Sequence, residues 1–409
     1  MRVAILGASR YNVPALAAVR EAGFFVLAID GNPQAPGLAA ADAFAVADIR
    51  DADALREAIL SSGGVDGIVT LGEAAVRSSV RVCSDLGLPT ISAEAALNAT
   101  SKIRMRRCWD AIAQFSVPWR HVLDEQQALE AADAVGGFPV VVKPDRTHGG
   151  SRGVTRADDR EQLIRAYHFA RSSGFSEDVI VEKFIDSESE HSTEVLIHDG
   201  AVSMLCIGQK IKTHAPYRVD LSVRYPSMLD RRQEALVADM CRQAVMAIGL
   251  TRGVAHIELA WSHDGPRLLE LGARCGGGHT PLLARHSSGV DELAEVCRIA
   301  CGRPPELFQP IHRRGAEYRF LAFPAGIIEE AIVPAEVLAH PHVVDAAILG
   351  APGSEVREVR TGADRAGFVV TTGENLEEAV RAADWASARV AIRYADGATH
   401  GAFPVGDRA

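Results

Sequence analysis

Two glutamates, Glu258 and Glu270, flank a turn signal, and an arginine-glycine run follows at once. The stretch reads Gly-Val-Ala-His-Ile-Glu-Leu-Ala-Trp over 253–261, Ser-His-Asp-Gly-Pro over 262–266, then Arg-Leu-Leu-Glu-Leu-Gly-Ala-Arg-Cys-Gly-Gly-Gly over 267–278. Ala255, Ile257 and Leu259 alternate with His256, Glu258 and Ala260, the pattern of a half-buried strand. Asp264-Gly265 is a hairpin turn signal between apolar runs. A turn there sets Glu258 opposite Glu270, with Cβ atoms roughly 5 Å apart. Like charges so placed destabilise a sheet unless a cation lies between them. Hard carboxylate oxygens at that spacing suit Mg2+, which takes one or two carboxylates and completes its shell with substrate phosphates. Arg274 is then a fork-shaped donor for phosphate or carboxylate beside the metal. The alternative is a solvent-exposed acidic hairpin followed by a flexible loop.

Further upstream, Thr147-His148-Gly149-Gly150-Ser151-Arg152-Gly153 is a glycine-rich turn after a short apolar strand. The backbone N–H groups of Gly149, Gly150 and Ser151 can close on phosphate oxygens, because glycine lets the backbone approach. The Gly-Lys-Ser/Thr ending of a Walker A loop is absent. Lys143, at the end of the preceding strand, reaches the same phosphates. An ordinary β-turn and a surface lysine are the bland readings of these two features. Glu182-Lys183-Phe184-Ile185 follows the apolar pair Val179-Ile180 and suits an adenine edge: a carboxylate or carbonyl accepts from N6 and an amide donates to N1. An exposed strand end is its alternative. Of 43 basic residues only five are lysine, namely Lys102, Lys143, Lys183, Lys210 and Lys212. In so arginine-biased a chain, a surviving lysine marks a place where a compact point charge is required.

Taken in order, Lys102, Lys143, the 147–153 loop, Glu182–Ile185, Glu258, Glu270 and Arg274 resemble the ATP-grasp superfamily over about residues 1–305. The resemblance implies that Lys102 and Lys143 hold the phosphates of ATP, that the glycine loop covers them, and that Glu182, Lys183, Phe184 and Ile185 form the adenine hinge. Glu258 and Glu270 then hold Mg2+, with Mn2+ as a substitute ion, and Glu190 or Glu194 reaches the ribose or the metal. One departure stands out. Many members carry Glu-x-Asn where this chain has Glu270-Leu271-Gly272, so the amide ligand is missing. The variant Glu-Leu-Gly-Ala-Arg-x-Gly-Gly-Gly is similar to that of L-amino-acid ligases, which make dipeptides. The implied activity is an ATP-dependent union of a small-molecule carboxylate with an amine through an acyl phosphate. Arg274 is its catalytic group, and Gly276, Gly277 and His279 lie against substrate. His279 and His256 are candidate bases, each with a purely local hydrogen-bonding role as its alternative. The rivals are a bicarbonate-using carboxylase of the same superfamily and a non-catalytic ATP-binding protein. The family often forms homodimers.

These groups need elements to position them. The 409 residues suffice for two or three domains. At 47% hydrophobic and 23% charged the composition is that of a globular protein, and the net charge of −10 argues against a nucleic-acid partner bound by bulk charge. No run is long and apolar enough for a membrane span. Met1–Gly7 enters a strand directly without a signal-peptide pattern, and the seven scattered cysteines match no zinc spacing, so reduced thiols and a cytoplasmic location are expected. Strand–helix alternation over 1–100 predicts a doubly wound parallel sheet, and the resemblance implies that this is the family's pre-ATP-grasp unit, whose Gly7 turn often helps bind the non-nucleotide substrate. The resemblance implies that residues 101–306 form a two-lobed ATP-grasp module, with the small lobe near 115–190. After Gly302-Arg303-Pro304-Pro305, residues 307–409 read as a C-terminal α+β subdomain. The polar stretch 209–224, with Lys210, Lys212, His214 and Arg218, is either a substrate loop or a solvated face. The overall expectation is thus an α/β and α+β chain.

Overall fold

The structure, a computed structural model, describes residues 1–147, 152–213 and 218–404. The expected Gly149, Gly150, Ser151 and His214 lie outside the described residues. The first unit carries β1 (Arg2–Leu6), β2 (Phe25–Asp30), β3 (Ala43–Val46) and β4 (Gly67–Thr70), paired in parallel in the order β3-β2-β1-β4. Both faces of this sheet are covered. Val3, Ile5, Val26 and Ala28 pack in one core cluster, while Ala4, Leu6, Leu27 and Ile29 pack in another. This double burial is why the strands read as continuous apolar runs.

The small lobe carries β5 (Trp119–Val122), β6 (Val140–Pro144), β7 (Thr155–Ala157) and β8 (Val179–Lys183) as an antiparallel sheet in the order β5-β8-β6-β7. Val140, Val142, Val179 and Val181 sink into a core shared with Leu163 and Tyr167 of the helix Arg160–Ser173. The period of two then turns Val141, Lys143, Ile180 and Glu182 to the opposite face.

The large sheet is built from β9 (Ser187–His198), β10 (Ala201–Lys212), β11 (Asp220–Tyr225), β12 (Gly253–Ser262) and β13 (Gly265–Gly272). The C-terminal part adds β14 (Gly315–Leu321), β15 (Gly326–Ile332), β16 (Val343–Ile348), β17 (Glu355–Val356), β18 (Gly367–Gly373), β19 (Ala391–Tyr394) and β20 (Thr399–Gly401). Eight strands form one antiparallel sheet in the order β13-β12-β9-β10-β11-β14-β18-β16, so strands from both sides of residue 307 share it. The remaining C-terminal strands make a small sheet, β17-β15-β19-β20. At the β9–β10 hairpin, Asp199 (φ 48°) and Gly200 (φ 79°) both adopt positive φ, as a two-residue primed turn requires. One face of the large sheet packs Val195, Ile197, Ala255, Ile257 and Leu259 against the helices Lys102–Trp109 and Arg231–Ile248, around the fully buried Trp109. After the β12–β13 hairpin come two helices, Thr280–Ser288 and Glu292–Ala300, parted by Gly289 at φ 79°.

One buried cation fastens the lobes. Arg106, only 1% exposed, grips Glu182 on β8 with Nε–Oε1 at 2.7 Å and Nη2–Oε2 at 3.0 Å. It also donates to the carbonyls of Leu268 and Leu269 on β13. Lys143 Nζ completes Glu182 at 2.7 Å. Burial alone would raise the Glu182 pKa, but Arg106 and Lys143 hold it down at about 2. Its contribution is therefore complete above the ordinary carboxylate pKa and is lost as pH falls toward 2. Glu182→Gln strands two buried cations and is expected to cost about 3–5 kcal/mol. Urea unfolding should show this loss at neutral pH, and a flatter stability profile than the wild type below about pH 5.

Candidate active site

Across the β12–β13 hairpin Glu258 stands opposite Glu270, and a register shift follows immediately between Glu258 and Leu259. Two lysines separate the charges. Lys102 Nζ lies 2.8 Å from Glu270 Oε1, and Lys210 Nζ lies 2.7 Å from Glu258 Oε1. Burial acts to raise both carboxyl pKa values, yet Lys102 keeps Glu270 below its ordinary value, and Lys210 with His256 keeps Glu258 well below. Both groups are thus ionised, hard-oxygen donors in register. Among the described residues no cluster of three or more His, Cys, Asp or Glu could hold a metal by itself. Two carboxylates whose remaining ligands come from phosphate oxygens fit Mg2+. Glu73, just after β4, is a neighbour that the sequence reading missed: burial and the charge of Glu270 raise its pKa.

Glu258 and Glu270 border a cavity of about 150 Å3 that also meets Lys143, Phe184, Ile185 and Glu190. Arg156 covers the Phe184 ring at 4.3 Å. The structure corrects two details of the expected adenine hinge. The Glu182 carboxylate is consumed by Arg106 and Lys143, so only its backbone is left to read a base edge. The Lys183 ammonium turns to the carbonyls of Gly136 and Gly137, at 3.0 and 2.9 Å, and closes the end of the helix Glu125–Ala134. Glu190 pairs with Lys212 at 2.5 Å and Arg218 at 2.6 Å. Lys210 is 8% exposed, so this part of 209–224 is not a solvated face.

Glu258 also borders a second cavity of about 520 Å3 on the same face of the large sheet. Arg274, His256, Gly277 and Gly278 line it from the hairpin side; Ser9, Tyr11 and Asn12 close it from the first unit, and Tyr318, Phe320 and Arg365 from the C-terminal part. Arg274 folds back over Gly272, where a Cβ would lie 3.5 Å from its guanidinium carbon, and Nη1 donates to the Cys275 carbonyl at 2.7 Å. His256 Nδ1 lies 2.5 Å from Glu194 Oε1, and Nε2 lies 3.6 Å from Glu258 Oε1. Burial opposes charging of this ring, but Glu194 and Glu258 raise its pKa to about 9, so at neutral pH it is an imidazolium, not a ready base. Glu194 is wholly buried and also accepts from the Gly276 N–H at 3.0 Å. A Cβ at 276 would fall 2.6 Å from that carboxylate, so Gly276 serves Glu194 directly. The expectation for His279 is not met: at 2% exposure its Nε2 pairs with Asp345 at 2.8 Å, and its ring packs on Tyr318 and Phe368.

The rarity of lysine pointed to more than was taken from it. Lys210 and Lys212 belong to the same buried network as Lys102 and Lys143, and composition alone marked all of them. The aromatic and arginine contributors from beyond residue 307 carried no local signal, because only sheet pairing brings them to the cavity.

With the geometry in view, comparison with known proteins is informative. Residues 136–281 match the family model of the ATP-grasp domain, and residues 319–395 match that of the L-amino acid ligase C-terminal domain 2. An uncharacterised protein of Sinorhizobium fredii is 25% identical over 389 residues, covering 90% of this chain and 79% of its own length. Carnosine synthase 1 of Mus musculus is 25% identical over 62% of this chain, which spans only 32% of that relative. The solved L-amino acid ligase of Bacillus licheniformis superposes with a TM-score of 0.82 at 22% identity, covering 96% of this chain and 98% of its own. No helix of the described residues is long and apolar enough to cross a membrane. Motifs, fold and family matches agree: the chain carries an ATP-grasp domain over residues 136–281 and, over residues 319–395, a C-terminal domain of the L-amino acid ligase type.

Proposed function

We propose that this protein joins the carboxylate of an L-amino acid to an amine, converting ATP to ADP and phosphate through an acyl phosphate. The observation that carries this reading is the position of Glu258, which borders both the cavity containing Lys143, Phe184 and Ile185 and the cavity containing Arg274. Nucleotide in the first and acid in the second would meet at that carboxylate. A substrate carboxylate oxygen attacks the γ-phosphorus of ATP, the bond to the β-phosphate oxygen breaks, and ADP leaves. The neutral amine nitrogen then attacks the acyl carbon, the C–O bond breaks, and the departing phosphate takes up the proton that the nitrogen loses. Phosphoryl transfer of this kind depends on positioning and charge stabilisation, with no protein nucleophile. Glu258 and Glu270 would hold Mg2+, which neutralises charge on the β- and γ-phosphates. Lys102 and Lys143 are compact charges for phosphate oxygens, and Arg274 is a donor for the transferring phosphoryl group and the later oxyanion. The C-terminal match to the ligase family favours acid–amine union over bicarbonate chemistry.

Glu270→Gln is expected to abolish ATP turnover while circular dichroism stays near wild type and the thermal midpoint falls, because the buried Lys102 loses its carboxylate; normal turnover with an unchanged Mg2+ requirement would refute the metal assignment. Arg274→Ala should lower kcat by about 10²- to 10³-fold. Incubation with ATP, Mg2+ and pairs of L-amino acids should release ADP and phosphate without added bicarbonate. Formation of AMP and pyrophosphate, or strict dependence on bicarbonate, would overturn the acyl-phosphate ligase reading.

A further inference from the structure

Glu292 is a carboxyl group that neither the packing nor the proposed chemistry accounts for. It is 0% exposed, in the first turn of the helix Glu292–Ala300, which packs on β9 and β12. Neither of its oxygens accepts a hydrogen bond among the described residues. Asp291 caps the helix by accepting from the Ala294 N–H at 3.1 Å, so Glu292 is not needed there. Glu295, the next buried acid of that helix, accepts from the Glu306 and Leu307 N–H groups at 2.9 and 3.1 Å. The polar side chains within hydrogen-bonding reach of Glu292 are the Glu194 carboxyl and the Cys275 thiol.

Two carboxyl groups hydrogen-bond each other only when one keeps a proton, and their surroundings decide which. Glu194 already accepts from His256 Nδ1 at 2.5 Å and from the Gly276 N–H at 3.0 Å, and both bonds favour its ionised form. Glu292 has no such donors. A helix N-terminus favours an anion only weakly. Burial, and then the charge of Glu194, outweigh it and hold the Glu292 pKa well above the ordinary carboxylate range. The proton therefore stays on Glu292. Its hydroxyl gives Glu194 a third hydrogen bond, and the three together fix that side chain in one pose. A leucine of similar volume would cost less to bury, so stability is not what Glu292 supplies.

What Glu194 holds lies on the wall of the second cavity. The His256 ring lines that cavity beside Glu258, and Gly276 leads into Gly277 and Gly278, which line it next to Arg274. We infer that Glu292 is a positioning residue for the ligation: its O–H donates to Glu194, which in turn fixes the His256 ring and the backbone turn after Arg274, where the acyl phosphate would form. This role rests on the ligase reading above, and two of its three tests need no turnover.

Infrared difference spectra of the nucleotide-free protein at neutral pH, wild type minus Glu292→Gln, should show the carbonyl stretch of a protonated carboxyl group. If no such band is lost, Glu292 is ionised and the inference falls. The His256 Nδ1 proton, held by Glu194 at 2.5 Å, should give a far-downfield 1H NMR resonance. Glu292→Leu should shift or broaden it, and Glu292→Gln, whose amide N–H still donates to Glu194, should keep it; a resonance unmoved by leucine would overturn the inference. In Glu292→Leu the thermal midpoint should stand at or above that of the wild type, while kcat for ADP release falls about 10- to 100-fold at unchanged KM for ATP. Glu292→Gln should restore most of kcat. Wild-type kcat in Glu292→Leu, or a glutamine variant as slow as the leucine one, would overturn the inference and leave the ligase reading intact. Absence of ADP release by the wild type with every acid and amine would overturn the ligase reading, and with it the role in ligation given to Glu292.

Discussion

The arrangement depends on the neutralisation of buried glutamates by lysine. Glu258, Glu270, Glu182 and Glu190 converge on adjoining cavities, and each has its own lysine: Lys210, Lys102, Lys143 and Lys212. Removing carboxylates from water is tolerated only when each finds a counter-charge and hydrogen bonds. An ammonium is compact, rotatable and easily re-aimed, where a guanidinium would fix a planar geometry. Arginine joins at two of the four: Arg218 shares Glu190 with Lys212, and Arg106 clamps Glu182 bidentately and ties the small lobe to β13. Fixed arginine clamps thus serve the architecture, and single-point lysine contacts border the space where phosphates would enter.

The same logic explains why the long sheet extends into the C-terminal part. Pairing of β11 with β14 carries the floor of the large cavity from Glu258 to Phe320 across consecutively hydrogen-bonded strands. Side chains distant in sequence thereby share one face, while the other face is sealed by the apolar residues around Trp109. A loop-built pocket of this width would leave many backbone groups to satisfy individually. Here the ladder satisfies them collectively.

What could be read from the sequence followed from local periodicity and turn chemistry. The alternation of Ala255, Ile257 and Leu259 with His256 and Glu258, together with Asp264-Gly265, was enough to place two glutamates opposite one another. The destination of side chains between elements was not readable in this way. Lys183 closes a helix end, Glu182 faces inward to Arg106, and His279 turns to Asp345, each decided by packing partners far along the chain.

Glu258 forms part of the lining of both cavities, so the partition between them is a single side chain thick. On the proposed chemistry, a labile mixed anhydride made at that partition has no distance to travel before its second encounter. No tunnel, swinging arm or carrier is required, and the interval during which bulk water could intercept it shrinks to the time the nucleophile takes to reorient. The compartments are neighbours, and on that chemistry the intermediate would be handed across their common wall.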